Sequence, residues 1–118
     1  MLTKPGILLR LEGAALLAAS LYVYSGTGKG WWWFAALFLW PDLPMLAFLK
    51  SPQLGSAMYN LVHNEALPIA GALAALHYSI PSGIPFCAVW LAHIGWDRAI
   101  GYGLKYPTFF KDTHLQRV

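Results

Sequence analysis

Residues 31–49 read WWWFAALFLWPDLPMLAFL, a stretch whose single ionisable group is Asp42. About 20 apolar residues in helical form cross a bilayer core, so this segment reads as a membrane span. Trp31, Trp32 and Trp33 fall at one of its ends, where aromatic side chains anchor at the membrane–water interface. Three further apolar segments flank it, at about 7–24, 54–77 and 84–104. Between them lie Ser25-Gly26-Thr27-Gly28-Lys29-Gly30, Lys50-Ser51-Pro52 and Pro81-Ser82-Gly83, which are turn sequences. Residues 105–118 form a polar tail. The expected fold is all-α: one integral membrane domain over residues 1–118, a four-helix up-down bundle.

Composition agrees. Hydrophobic residues make up 58% of the 118-residue chain and charged residues 11%. A soluble domain carries about 25% charged residues, and a chain this short has little interior to hide the surplus apolar surface. Ala18-Ala19-Ser20 resembles a signal cleavage site, but Glu12 interrupts the apolar region before it, so residue 1 onward is read as mature protein. The lone Cys87 excludes an internal disulfide and a cysteine-based zinc site. The net charge of +3 comes from scattered residues with no basic stripe, so nucleic acid is not an expected partner.

Four spans put both termini on one side. Lys4, Arg10, Lys50, Lys105, Lys111 and Arg117 fall on that side and Lys29 on the other. The positive-inside rule places both termini in the cytosol. Close helix contact in lipid needs small residues, and Gly13, Ala14, Ala15, Ala18 and Ala19 supply them on the first span, Ala70, Gly71, Ala72, Ala74 and Ala75 on the third, and Gly95, Gly101 and Gly103 toward the end of the fourth.

The spans also carry Glu12, Asp42, Asn60, His63, Asn64, Glu65, His93, Asp97 and Arg98. An ionisable group at mid-membrane costs about 3 kcal/mol on insertion scales, so these groups should pair, face the interior or serve a function. At about 1.5 Å per residue, Glu12 lies about 8 Å from the cytosolic end, Asp42 and Asp97 about 10 Å, His63 about 14 Å and His93 about 16 Å. All four spans thus contribute to one polar layer. His93 and Asp97, four apart, share a helix face, as do Asn60, His63 and Asn64, with Tyr59 beside His63. Glu65 points elsewhere. Pro44 and Pro68 release the carbonyls of Trp40 and Asn64, and freed carbonyls at that depth imply a water-reachable cavity.

Two imidazoles with carboxylates suit a divalent metal such as zinc, iron or manganese. Asp42, His63, His93 and Asp97 are the expected ligands. Glu12 is a candidate further ligand or general base, and Arg98 or Lys105 a candidate phosphate holder. Asn60, Asn64 and His114 are auxiliary candidates, with His114 folding back over the layer or lying in a loose tail whose Phe109 and Phe110 rest at the interface. The bland alternative is a structural network of ion pairs that sets helix packing. A proton path is disfavoured, because the outer halves of the spans hold no ionisable group.

Pro41-Asp42-Leu43, Tyr59-Asn60-Leu61-Val62-His63, Leu91-Ala92-His93-Ile94-Gly95-Trp96-Asp97-Arg98, Gly101-Tyr102-Gly103-Leu104-Lys105 and Thr113-His114 resemble the bacterial family called domain of unknown function 4260. The likeness runs from Arg10-Leu11-Glu12-Gly13 to Thr113-His114; Asn64-Glu65 departs from the family pattern. The resemblance implies a small integral protein of the bacterial inner membrane with undefined activity. It carries over Glu12, Asp42, His63, His93, Asp97, Arg98 and His114. The Asp and His pattern is also loosely similar to small inner-membrane metal-dependent hydrolases. The functional expectation is a metal-dependent membrane enzyme, hydrolase-like, acting on a lipid or amphipathic substrate from the cytosolic side. The alternative is a non-catalytic accessory or structural protein, self-associated or within a larger membrane complex.

Overall fold

Proline and glycine punctuate the chain where the helices change. In the computed structural model, which describes residues 4–107 and 113–117, helix α1 (Pro5–Ser25) begins on a proline, whose missing N–H is no loss in a first turn. It stops at Gly26, and the Tyr24 hydroxyl closes the following loop by donating to the Gly30 carbonyl at 2.7 Å. Helix α2 (Trp31–Phe38) gives way to a ten-residue 3-10 segment, Trp40–Leu49, because Pro41 and Pro44 cannot donate to an α ladder. Ser51 caps helix α3 (Pro52–Val62), its hydroxyl accepting from the Leu54 N–H at 3.0 Å.

The segment expected as one span over 54–77 is two helices. After α3 the chain breaks at residues 63–65 and restarts as helix α4 (Ala66–His77). The Asn64 side chain accepts from the Ala66 N–H at 2.8 Å, and Pro68 sits in the first turn of α4, where it needs no N–H. Pro68 therefore stands at the start of a helix rather than inside one, where it was expected to release the Asn64 carbonyl. Helix α5 (Gly83–Ile100) ends four residues before the expected boundary at 104. Gly101, at φ +103°, takes the left-handed position, with Gly101 N–H donating to Arg98 O and Tyr102 N–H to Asp97 O.

Helix α5 is the hub: α1, α2 and α4 pack on it, while α3 packs on the 3-10 segment. Against α1 the crossing is antiparallel and close. A Cβ on Gly95 would lie 2.6 Å from Leu17 N and 2.8 Å from Gly13 O, and one on Gly13 would collide with the Arg98 side chain. Helices α4 and α5 also run antiparallel, Gly83 resting on Ala75 and Gly71 on Cys87. At the loop end, Tyr24, Ala88 and Val89 form a buried cluster against Trp33, Phe34, Leu37 and Phe38.

The tail is not loose where it is described. Lys105 and Thr113 form an antiparallel bridge, Thr113 and Leu115 are buried, and a last 3-10 turn covers His114–Arg117. The interface placement expected for Phe109 and Phe110 lies outside the described residues. Among the described residues the fold is all-helical, with that one isolated bridge. Two helical stretches, Pro5–Ser25 and Trp31–Leu49, are long and apolar enough to cross a membrane.

Gly95→Ala should push α1 off α5 and destabilise the fold by about 1–3 kcal/mol, as overpacking typically does. Gly30→Ala should be silent, because Gly30 has φ −69° and open space around its Cβ position. Thermal unfolding of the two variants checks this.

Candidate metal centre

Four side chains converge where the 3-10 segment, the break after α3 and the middle of α5 meet. They are Asp42, His63, His93 and Asp97, and one ligand atom from each lies within 4.8 Å of all the others. Asp42 Oδ1 is 3.3 Å from His63 Nε2 and 3.1 Å from His93 Nε2. Asp97 Oδ2 is 3.3 Å from both nitrogens, and the nitrogens are 3.3 Å apart. A tetrahedral cation with bonds of about 2.0–2.1 Å has ligand–ligand edges of about 3.3–3.4 Å. Five edges of the cluster are at or just under that length.

The other ring nitrogens decide what the cluster can hold. His63 Nδ1 is 3.0 Å from Tyr59 O, and His93 Nδ1 is 2.6 Å from Phe38 O. A carbonyl only accepts, so each Nδ1 carries the hydrogen. A neutral ring then turns the Nε2 lone pair inward. Two lone pairs and two carboxylates meet there, an arrangement that requires positive charge in its midst, as a cation or as protons on the rings. A ligating histidine ordinarily donates its second N–H in this way. The buried cluster can therefore hold a metal ion.

Local backbone irregularity supplies both acceptors. In an α-helix Phe38 O would take the Asp42 N–H; in the 3-10 segment that N–H goes to Leu39 O at 3.0 Å, leaving Phe38 O for His93. Tyr59 O, in the last turn of α3, accepts from both the backbone N–H and the ring of His63. The Tyr59 ring stacks on that of His63 at 3.6 Å between centroids.

Residues 6–118 match the family described as Domain of unknown function (DUF4260). The chain belongs to this family. No curated protein and no solved structure matches it.

The other candidate residues of this DUF4260 chain fall around the cluster in different roles. Arg98 is buried and does not face the ligand atoms; its guanidinium donates to His63 O at 2.9 Å and Tyr102 O at 3.1 Å. It thus caps the broken end of α3, with the Trp90 indole N–H donating to Val62 O beside it. Asn60 grips the Lys105 backbone, Nδ2 donating to O at 2.8 Å and Oδ1 accepting from N at 2.6 Å. Asn64 is the α4 capping group already described. Glu12 is exposed on α1 and stands outside the cluster, so the expected polar layer loses its contribution from the first span. His114 does not cover the cluster. Its Nδ1 accepts from the Leu104 N–H at 2.8 Å, and its own N–H donates to Leu104 O.

An open cavity of about 160 Å³ adjoins the centre, lined by Asp42, Met45, Tyr59, Asp97, Tyr102 and Lys105. It touches the two carboxylates and neither imidazole, so access is from the carboxylate edge. Lys105 is buried, with its ammonium 4.5 Å above the Tyr59 ring. Burial pulls its pKa down, against Asp97 and Asp42, which favour the charge. Sequence reasoning had not singled out Trp90 or Tyr102. Trp90 was within reach, because 90, 93 and 97 share one helical face.

Burial and the charge of Arg98 hold the His114 pKa below the ordinary imidazole value. The folded protein therefore prefers neutral His114, and its share of stability is present above about pH 6.5 and lost as the pH falls below that. Lowering the pH from about 7.5 to about 5.5 should cost the wild type more in Tm than a His114→Asn variant, whose amide oxygen accepts but does not titrate. An equal loss in the two would remove His114 from the acid response.

Proposed function

We propose that this DUF4260 protein is a metal-dependent membrane enzyme, hydrolase-like, acting on a lipid or amphipathic substrate from the cytosolic side of the bacterial inner membrane. The observation that carries the reading is the set of four inward-facing donors at 3.1–3.3 Å beside an open cavity. Asp42, His63, His93 and Asp97 hold zinc, iron or manganese. A divalent cation there supplies Lewis acidity and an acidified water. The chain's part is to orient: Phe38 O and Tyr59 O aim the imidazoles, Arg98 holds the turn that carries His63, and the cavity admits substrate past the carboxylates. Glu12 receives no catalytic role.

The membrane setting has its own support. Of the two long apolar stretches, only 11% and 6% of the hydrophobic window is buried, unlike core helices of a water-soluble domain. Trp32, Leu39, Leu49, Leu73, Leu76 and Tyr78 are each more than half exposed. In this reading the chain crosses the membrane four times, with α3 and α4 together as the third crossing and both termini in the cytosol. One observation favours the alternative of a non-catalytic structural or accessory protein: the same distances fit ion pairs if the rings are protonated.

Elemental analysis of the purified protein separates the two readings. The expected result is about one equivalent of metal, lost in His63→Ala and His93→Ala while helicity is retained. Metal-free protein after preparation without chelators and after adding metal back would overturn the enzyme reading. Topology is checked by thiol labelling of single-cysteine variants in whole cells. A cysteine at Lys29 should react from outside, and one at Lys4 only after permeabilisation; the reverse would invert the orientation.

A further inference from the structure

Helix α5 has a second face. His93 and Asp97 point to the ligand cluster, whereas Ala88 and Leu91 lie roughly opposite them around the helix and floor a different cavity, of about 360 Å³. Its walls are α1 and α4, both packed on α5. Leu16, Ala19 and Val23 line it from α1, and Ala72 and Leu76 from α4. Among the described residues no ionisable side chain lines it, and Ser20 is its one polar lining residue. Ser20 is only 4% exposed, and its hydroxyl makes no hydrogen bond among the described residues.

Both walls end in a carboxylate. Glu12, Leu16, Ala19 and Val23 follow at spacings of four, three and four, one stripe of α1; Glu65, Ile69, Ala72 and Leu76 repeat those spacings on α4. Glu65 is the N-cap of α4 and has helical φ −64° and ψ −23°, so the stripe includes it. Gly13 meets Arg98 and Gly95 meets Leu17, while Gly71 meets Cys87 and Gly83 meets Ala75. Counted along these antiparallel pairs, Glu12 and Glu65 both stand beyond Leu91, at the same end of the cavity. Both are exposed, and neither forms an ion pair among the described residues. Arg10 lies against Gly101, and Arg98 acts on Glu65 only at longer range, its guanidinium committed to the carbonyls of His63 and Tyr102.

Shape and charge select the occupant. A helix with its side chains is about 10 Å across, and a 10 Å length of one fills about 800 Å³, over twice the cavity. A hydrocarbon chain fits and meets apolar contacts along its length. A carboxylate at membrane depth is costly without a cation, and a positive headgroup at the end of the chain meets two of them, whereas an anionic one meets two like charges. Ser20 stands two turns beyond Glu12 along the chain's path, where its hydroxyl has an acyl carbonyl to donate to. We propose that this cavity binds a cationic amphiphile: a single acyl chain lies between α1 and α4, its ammonium headgroup faces Glu12 and Glu65, and the Ser20 hydroxyl donates to its carbonyl. The site rests on the membrane setting proposed above and is independent of the metal centre.

Equilibrium dialysis of lauroylcholine against the protein in phosphatidylcholine nanodiscs tests it, with empty discs subtracted. The expected result is saturable binding, with choline and methyl laurate, which lack the chain and the charge, binding far more weakly. Glu12→Gln and Glu65→Gln should each weaken it about tenfold, the loss of one charge-assisted contact. Ala19→Phe, which fills the cavity from an exposed position, should abolish binding with helicity unchanged. Ser20→Ala should weaken lauroylcholine and leave dodecyltrimethylammonium, which has no carbonyl, unaffected; an equal loss of both would remove the hydroxyl from the site. Methyl laurate binding as tightly as lauroylcholine, or full binding by the Glu12→Gln, Glu65→Gln double variant, overturns the cation site. Full binding by Ala19→Phe, or none above empty discs by the wild type, overturns the cavity as its place. Chelator-stripped protein should bind as the untreated protein does; loss on stripping would overturn the independence of the two faces. Protein recovered in solution without detergent would overturn the membrane setting itself.

Discussion

Two backbone carbonyls aim two imidazoles, and the centre depends on both. An α-helix uses its carbonyls internally, so a helical bundle ordinarily has none to offer a side chain at mid-helix. This chain frees them by irregularity. Pro41 and Pro44 force a 3-10 stretch that leaves Phe38 O for His93, and the end of α3 leaves Tyr59 O to be shared by His63. Straightening either segment would turn its imidazole and separate the Nε2 atoms that now stand 3.3 Å apart.

The irregular segments expose other polar groups, and α5 satisfies them. Trp90 and Arg98 take the carbonyls of Val62 and His63, while His93 and Asp97 between them face the cluster. The ligand helix is thus also the helix that seals the break. Its register is held from the opposite side by α1, where Gly13 and Gly95 bring the backbones into contact. Packing and chemistry therefore share one element, and a shift of α5 moves ligands and caps together.

Much of this was legible from sequence. His93 and Asp97 at i,i+4 and the shared depth of Asp42 and His63 selected the four residues that the fold brings together. The antiparallel α4–α5 pair followed from the short turn between them, whereas the α1–α5 pair joins helices that are not consecutive and no turn announces it. What misled was depth without azimuth: Glu12 has the right height on α1, but α1 turns it outward and presents Gly13 to α5. Arg98 was a candidate phosphate holder, because a broken helix end in need of capping is invisible until the break itself is seen. Pro68 was expected to free the Asn64 carbonyl inside a span, although the same residue in a first turn marks a new start. The tail was underestimated because the partners of its Thr113, His114 and Gln116 side chains are backbone groups at residues 101–104, which carry no sequence signature.

The 3-10 stretch has a consequence for length. A 3-10 helix rises about 2.0 Å per residue against about 1.5 Å for an α-helix. The eight residues of α2 and the ten of the 3-10 segment together reach about 32 Å, several ångströms more than the same residues as one α-helix. A bilayer core is about 30 Å thick. The prolines that release a carbonyl for His93 thus also lengthen a short apolar segment to about the thickness of a bilayer core, so one change of helical pitch sets both its reach and the geometry of the cluster.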